Sequence, residues 1–190
     1  MAGEIRFEFD EITVRNIEKR LGLMRSEAPK ALKNALNATA KDARRDLARE
    51  AQKTYAVKVG GFTRHMKLTP ASTGNLEAVI KARGSRLQFR YFSVWGGKGP
   101  KGAPLRVLIN KKHGRKTFGH GSRAFRNRIG GGMTAARRAG ASRTPYSILH
   151  TVSIPQMIGN ERDVYGVVEP NILSNLRKNV DRQVSRILGG

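Results

Sequence analysis

Between residues 78 and 160 the chain contains no aspartate or glutamate, although seventeen lysines and arginines lie there. The whole chain of 190 residues carries a formal net charge of +23, so fewer than half of the residues hold most of the excess. Like charge at this density repels itself and opposes compaction. The sequence therefore predicts that this region meets an anionic partner, for which nucleic acid, an anionic membrane and an acidic protein surface are the candidates.

The apolar content limits the size of the core. Leu, Ile, Val and Phe make up 44 of the 190 residues, only slightly above the level of about 20% below which highly charged chains tend to stay disordered. The length predicts one domain over residues 1–190, and so small a core favours completion by neighbouring subunits. The absence of cysteine excludes disulfides, thiolate zinc sites and thiol catalysis. Neither a signal peptide nor a membrane-spanning segment is expected.

Two amphipathic helices are predicted, one in each half of the chain. The first spans residues 26–53, with Ser26 as its N-cap and Pro29 in its first turn. The charged residues on its other faces lie three or four positions from charges of opposite sign, which indicates a solvated surface more than a binding face. The second helix spans 170–188 and starts at Glu169-Pro170. The apolar stripe of the first helix is formed by Leu32, Leu36, Ala40, Ala43, Leu47 and Ala51.

Apolar residues that alternate with polar ones predict short strands in the remainder of the chain. The strongest pattern is a hairpin in which residues 76–82 and 87–91 pair across the turn Arg83-Gly84-Ser85. The predicted class is therefore α+β, an antiparallel sheet covered by the long N-terminal helix and the C-terminal amphipathic helix, with basic Gly-rich loops. The basic strand and loop region spans 76–154. The expected strands lie at 5–9, 76–82, 87–91, 105–109 and 148–154.

Three Gly-rich basic segments are expected to be mobile loops when no partner is bound. They are WGGKGPKG at 95–102, NKKHGRKTFGHGS at 110–122 and GGGMTAARRAGASR at 130–143. Aromatic residues are few in this region, so binding to DNA would be directed at the backbone and tolerant of sequence. An acidic protein surface is an equally good partner. The candidate contact residues are Lys98, Lys101, Lys111, Lys112, Arg115, Lys116, Arg123, Arg126, Arg128, Arg137 and Arg138.

Motifs for chemistry are weak. The glycines before Lys98 resemble part of a phosphate-binding loop, but Pro100 follows where that motif needs a helix. His113 and His120 have no carboxylate in their own segment to orient them or to complete a metal site. A two-metal nuclease would need clustered carboxylates, which this region does not supply. The sequence favours a non-enzymatic protein without a cofactor or metal.

Two segments near the C-terminus carry a family resemblance. Residues 143–149 read RTPYSIL and residues 153–158 read SIPQMI. These segments resemble the phage minor tail protein Z family of tail-completion proteins, which show an Arg-x-Pro-(Ile/Leu) segment, then Gly-Pro-Ser-(Ile/Val)-Pro-Gln-Met, then an amphipathic helix. The Ala-rich helix at 28–53 and the Arg137-Arg138-Ala139-Gly140 stretch are also similar to the family. Thr151-Val152 stand where the family has Gly-Pro, and Tyr146 replaces an aliphatic residue.

The resemblance implies a structural virion protein at the head-proximal end of a phage tail, which helps to finish the tail and to join it to the capsid neck. It implies assembly in the host cytoplasm, as a homo-oligomeric ring, next to the tail terminator, the tape-measure protein, the tube or connector, and the end of the packaged DNA. The segment containing Pro145, Pro155, Gln156 and Met157 would be a rigid connector at an interface. The alternative is a sequence-tolerant nucleic-acid-binding protein.

Overall fold

A computed structural model describes residues 3–58, 61–98, 102–129 and 132–189 of the chain. It confirms the predicted α+β class, with every strand pair antiparallel among the described residues. No helix in these ranges is both long and apolar enough to cross a membrane. In chain order the elements are β1 (Gly3–Glu8), α1 (Glu11–Leu21), α2 (Ala28–Thr54), β2 (Met66–Thr69), β3 (Glu77–Ala82), β4 (Arg86–Gln88), β5 (Ser93–Trp95), β6 (Leu105–Leu108), β7 (Arg115–Phe118), β8 (Ala124–Ile129), β9 (Gly132–Arg138), β10 (Tyr146–Ile148), β11 (His150–Ser153), α3 (Ile154–Ile158) and α4 (Tyr165–Leu188).

Helix α2 lies at the centre of the fold. All six residues of its predicted apolar stripe are buried, and the helix packs on α1, α3, α4 and strands β1 to β3. Pro29 lies in its first turn as expected. Ser26 does not cap it, because residues Gly22–Glu27 form a 3-10 turn and Glu27 takes the N-cap position without a side-chain hydrogen bond. Small alanine side chains on the stripe allow the neighbouring elements to approach closely.

Helix α4 packs against α2 and begins five residues before the expected start at Pro170. The turn that precedes it is closed by a hydrogen bond from the Val164 amide to the Asn160 carbonyl and one from the Asp163 amide to the Asn160 side chain, at 2.9 and 2.8 Å. Pro170 therefore lies in the second turn of the helix. Between the two helices the buried Asn179 donates to the Thr39 hydroxyl at 3.0 Å, which satisfies a polar pair in the core.

The strands form four small sheets, and the predicted hairpin is wrong. Strand β3 lies between β1 and β2, whereas β4 pairs with β11. The other sheets are β5-β6-β7 and β10-β9-β8. Leu149 connects two of the sheets, since its amide donates to Ala135 and its carbonyl accepts from Phe89. Alternation located strands near all five predicted positions, although residues 89–91 form a 3-10 turn and 148–154 is divided between β10, β11 and α3. It carries no information about which strand pairs with which.

Two of the three predicted loops contain strands. Residues 115–118 form β7, and 132–138 form β9, the central strand of its sheet. Thr134, Ala135 and Ala136 are buried, and since successive strand residues point to opposite faces, β9 is covered on both faces there. The remaining loop prediction, 95–102, lies partly outside the described residues. The candidate Lys101 lies wholly outside them.

Gly96 and Gly97 follow β5 and make a turn that other residues cannot make easily. Their φ angles are +66° and +69°. A Cβ atom on Gly96 would lie 2.2 Å from the Pro104 carbonyl oxygen, and one on Gly97 would lie 2.8 Å from Leu105 Cδ1. The Gly97 amide donates to Ala103 and its carbonyl accepts from Arg126. These glycines therefore serve close backbone approach between sheets.

We expect Gly96→Ala to destabilise the protein by more than backbone strain alone. Gly114 provides the matched control, because its φ is +73° and a Cβ atom there would meet nothing within 4 Å. Gly114→Ala should lower the free energy of unfolding by about 1–2 kcal/mol, and Gly96→Ala by about 1–3 kcal/mol more. Urea unfolding measures both. Equal losses in the two variants would contradict the steric explanation.

Candidate polyanion-binding surface

The outer face of the β5-β6-β7 sheet carries two arginines beside an exposed tryptophan. Trp95 pairs in register with Arg106, which pairs with Thr117. Arg115 is on the same face by alternation, and its guanidinium carbon lies 4.4 Å from the centre of the Trp95 ring. Stacking on a ring holds a guanidinium in place while its N–H groups, which lie in its plane, remain able to donate to an anion.

The neighbouring β8-β9-β10 sheet repeats this arrangement. Arg138 lies 5.0 Å from the centre of the Phe125 ring, and Tyr146 meets that ring edge-on at 6.0 Å. Arg123, at the start of β8, has a positive φ of 54° and donates to the Ala139 carbonyl at 3.0 Å. Arg126 donates to the Val94 carbonyl at 3.0 Å. These cations are held by carbonyl oxygens and aromatic rings, which neutralise no charge.

A cleft of about 410 Å³ opens between the two sheets. Phe118 of β7 and Phe125 of β8 form part of its wall, and Lys116 lies 5.5 Å from the Phe118 ring. No carboxylate lines the cleft among the described residues. The cleft therefore presents apolar walls and donors to an anionic partner. Its charged or titratable lining residues are His120, Arg123, Arg126 and Arg138.

The carboxylates lie elsewhere, mostly on the helices. In α2, Arg45 pairs with Asp42, Arg49 with Asp46 and Lys53 with Glu50, each at three-residue spacing. This confirms the predicted ion-paired surface of the long helix. Of the cations in 78–160, Lys81 pairs with Glu4 and Lys112 with Glu50. Lys98, Arg106, Arg128 and Arg137 form no ion pair within the described part of the chain.

The ammonium groups of Lys111 and Lys112 bind within the chain near the C-terminal end of α2. Lys111 Nζ donates to the Gln52 carbonyl at 2.8 Å, and the Lys111 amide donates to Thr54. Lys112 Nζ donates to the Asp163 carbonyl at 3.1 Å. The last carbonyls of a helix have no partner in the helix itself and carry partial negative charge. Lys111 therefore stabilises the end of α2, and Lys112 joins the same loop to the segment before α4, roles that the sequence prediction missed.

The tertiary fold brings a carboxylate to His113 that the local sequence does not supply. Asp163, which is 4% exposed, lies 3.5 Å from His113 Nε2 and accepts from Asn110 Nδ2 at 3.0 Å. Its backbone carbonyl also accepts from Thr54 at 3.2 Å. Asp163 and its hydrogen-bond partners thus join the loop after β6 to the C-terminal end of α2 and to the start of α4. Within the described residues, no three side chains of the metal-binding types His, Asp or Glu cluster.

The predicted connector at an interface is only partly on the surface. Pro145 is exposed, and its peptide bond with Thr144 is cis. Gln156 is exposed but forms a capping box with Ser153 at the start of α3. Pro155 and Met157 are buried within the chain. Pro145 and Gln156 are therefore the residues of this set that are open to a neighbour, and the interface role stays a prediction.

One contact candidate was missed by the sequence prediction. Arg106 is exposed beside Trp95 and Arg115. The apolar alternation of Leu105 and Val107, both buried, already indicates that the intervening side chain points to solvent. Arg106 therefore belongs with the other cations of these two sheets. We call this set the basic strand surface; it consists of Arg106, Arg115, Lys116, Arg123, Arg128, Arg137 and Arg138.

In comparisons with known proteins, no family model, curated protein or solved structure matches the chain significantly.

The surroundings of Asp163 predict how the stability of the protein depends on pH. Burial raises the pKa of Tyr55 above its ordinary value of 10.0, and the Asp163 carboxylate raises it further. Because the folded protein holds this proton more tightly, the stabilisation is complete below pH 10.0 and is lost as pH rises through the folded pKa. We expect Tyr55→Phe to flatten the alkaline fall in the free energy of unfolding. Tyr165, whose pKa burial also raises, would leave a residual slope.

Urea unfolding on both sides of pH 10 measures this effect. Tyr146→Phe is the control, since Tyr146 is 45% exposed and should leave the slope as in the parent protein. A slope unchanged by Tyr55→Phe would contradict the assignment.

Proposed function

We propose that this chain is a structural virion protein of a tailed bacteriophage, a tail-completion protein at the head-proximal end of the tail. It would help to finish the tail and join it to the capsid neck, with other tail and neck proteins and the end of the packaged DNA as neighbours. The observation that carries the proposal is the basic strand surface, whose charge is unneutralised within the described chain. The proposal assigns the chain no catalytic activity and no cofactor.

The segment with the family resemblance supports a structural role. In residues 153–157, Ser153 and Gln156 form the capping box of α3, Pro155 lies in its first turn, and Met157 is fully buried. Each of these residues thus has a packing or capping role within the fold. A motif used in this way is typical of an architectural element rather than of a reactive centre.

The basic strand surface supports contact with a large anionic partner. Arg115 and Arg138 are pre-positioned by aromatic rings and Arg123 by a hydrogen bond to a carbonyl, and Arg recognises phosphate and carboxylate groups through planar paired donors. Because the cations are spread over several strands as well as the cleft, the contact would follow a backbone or a surface. Such contact does not depend on base identity.

The proposal predicts an assembly defect when the gene is deleted from the phage that encodes it. We expect tails that fail to join heads, and a loss of infectious particles. Electron microscopy and plaque assays of the deletion and of a complemented strain test this. Normal infectious particles without the protein would contradict the proposal. Labelling of intact particles at a site other than the head-proximal end would contradict the location.

The second candidate function is free, sequence-tolerant nucleic-acid binding, which the same surface favours. DNA binding by the isolated chain, titrated with salt, separates the two. Submicromolar binding at physiological salt favours the free binder, and binding only at low salt favours a part that needs its assembly.

For either function, the double variant Arg106→Gln/Arg115→Gln should lower the slope of log DNA affinity against log salt concentration by about 2. Arg45→Gln with Arg49→Gln removes the same charge from the ion-paired face of α2 and should leave the slope nearly unchanged. Equal effects of the two double variants would show that only net charge matters.

A further inference from the structure

A second cavity, of about 430 Å³, lies where the segment after α2 meets β5, β8 and β9. Three cationic residues from distant parts of the sequence line it: Lys58, Arg90 and Arg126. Among the described residues no carboxylate lines it. The fold thus brings three positive charges around one small space that is separate from the exposed basic strand surface.

The positions of these residues are held by the chain. The Lys58 amide donates to the Tyr91 carbonyl at 2.8 Å, which places it next to Arg90. Arg126 Nη1 donates to the Val94 carbonyl at 3.0 Å. The Arg90 guanidinium lies against Gly132, where an added Cβ would be 4.0 Å from Arg90 Nη1. A site held in this way loses little conformational freedom when it binds a ligand.

The three cations around this cavity repel one another. Like charges around one space of reduced dielectric are unfavourable, and a guanidinium does not relieve this by losing its proton. Arg126 is half-buried, and its Nε atom is fully buried without a hydrogen-bond partner. A buried polar group without a partner destabilises a fold. A bound anion would offset the repulsion.

We propose that this cavity binds one phosphate-class oxyanion, held by Lys58, Arg90 and Arg126. A phosphate group offers several charged acceptor oxygens at once, which suits forked guanidinium donors and an ammonium group that approach from different sides. The ligand is either free phosphate or a phosphodiester of a nucleic-acid backbone. The inference does not require the proposed function, since a site for free phosphate would stand even if the chain were no tail protein.

Titration calorimetry of the full chain with inorganic phosphate tests the site, with chloride at matched ionic strength as the reference. We expect saturable binding of one phosphate per chain. Arg126→Gln should weaken it about tenfold or more, since hydrogen bonds to charged groups are worth about 1.5–3 kcal/mol. Arg86→Gln is the control, because Arg86 on β4 is exposed, does not line the cavity and lies outside the basic strand surface. It should change the affinity by less than about twofold.

A second variant separates binding from folding. Arg126→Gln also removes the bond to Val94 and can weaken the fold, whereas Lys58 is exposed and its replacement leaves the core intact. Lys58→Gln should therefore weaken phosphate binding without lowering the stability to urea in phosphate-free buffer. Absence of saturable binding to the parent protein would overturn the proposal. So would equal weakening by Arg126→Gln and Arg86→Gln.

Duplex DNA added to the phosphate-saturated protein then identifies the source of the ligand. Displacement of phosphate by DNA, lost in Lys58→Gln, supports a backbone phosphodiester at the site. DNA binding that leaves the phosphate in place supports a site for free phosphate.

Discussion

The buried face of α2 is the constraint on which the rest of this structure depends. Its alanines and leucines are covered by α1, α3, α4 and the β1-β3-β2 sheet. In a chain with few large apolar residues, burying one long helix on several sides allows many elements to share the same core. The small side chains matter here, because they let helices and strands approach without leaving voids. The elements that carry the cations are attached to this support.

The C-terminal end of α2 connects the helical core to the strands and loops that carry the cations. Lys111 binds the carbonyl of Gln52, and the buried Asp163 links the same loop to the start of α4. Positive side chains are favoured at the end of a helix, where the free carbonyls carry partial negative charge. Some of the excess positive charge therefore has a purely structural use, and a count of cations overstates the number available to a partner.

The remaining charge is separated by the fold rather than neutralised. Most described carboxylates with an ion pair lie on the helices or on β1 and β3. Several cations of β6 to β9 lie over aromatic rings or donate to carbonyl oxygens. Aromatic faces attract cations without cancelling their charge, so the strands keep a strong positive field next to an ordered surface. The proposed phosphate cavity is one of two places where three cations line the same space.

The sequence by itself determined the two long helices, the α+β class and the excess of charge, since these follow from local periodicity and composition. Leu36 and Leu47 could be assigned to the core from spacing alone, and Arg106 could have been assigned to the surface in the same way. The tertiary structure decided what local pattern cannot specify. It paired β3 with β1 and β4 with β11, made β9 a buried strand from a Gly-rich basic segment, and covered Met157. It also brought Asp163 to His113 and placed Lys58 beside Arg126. These outcomes depend on contacts between residues far apart in the chain, which periodicity does not encode.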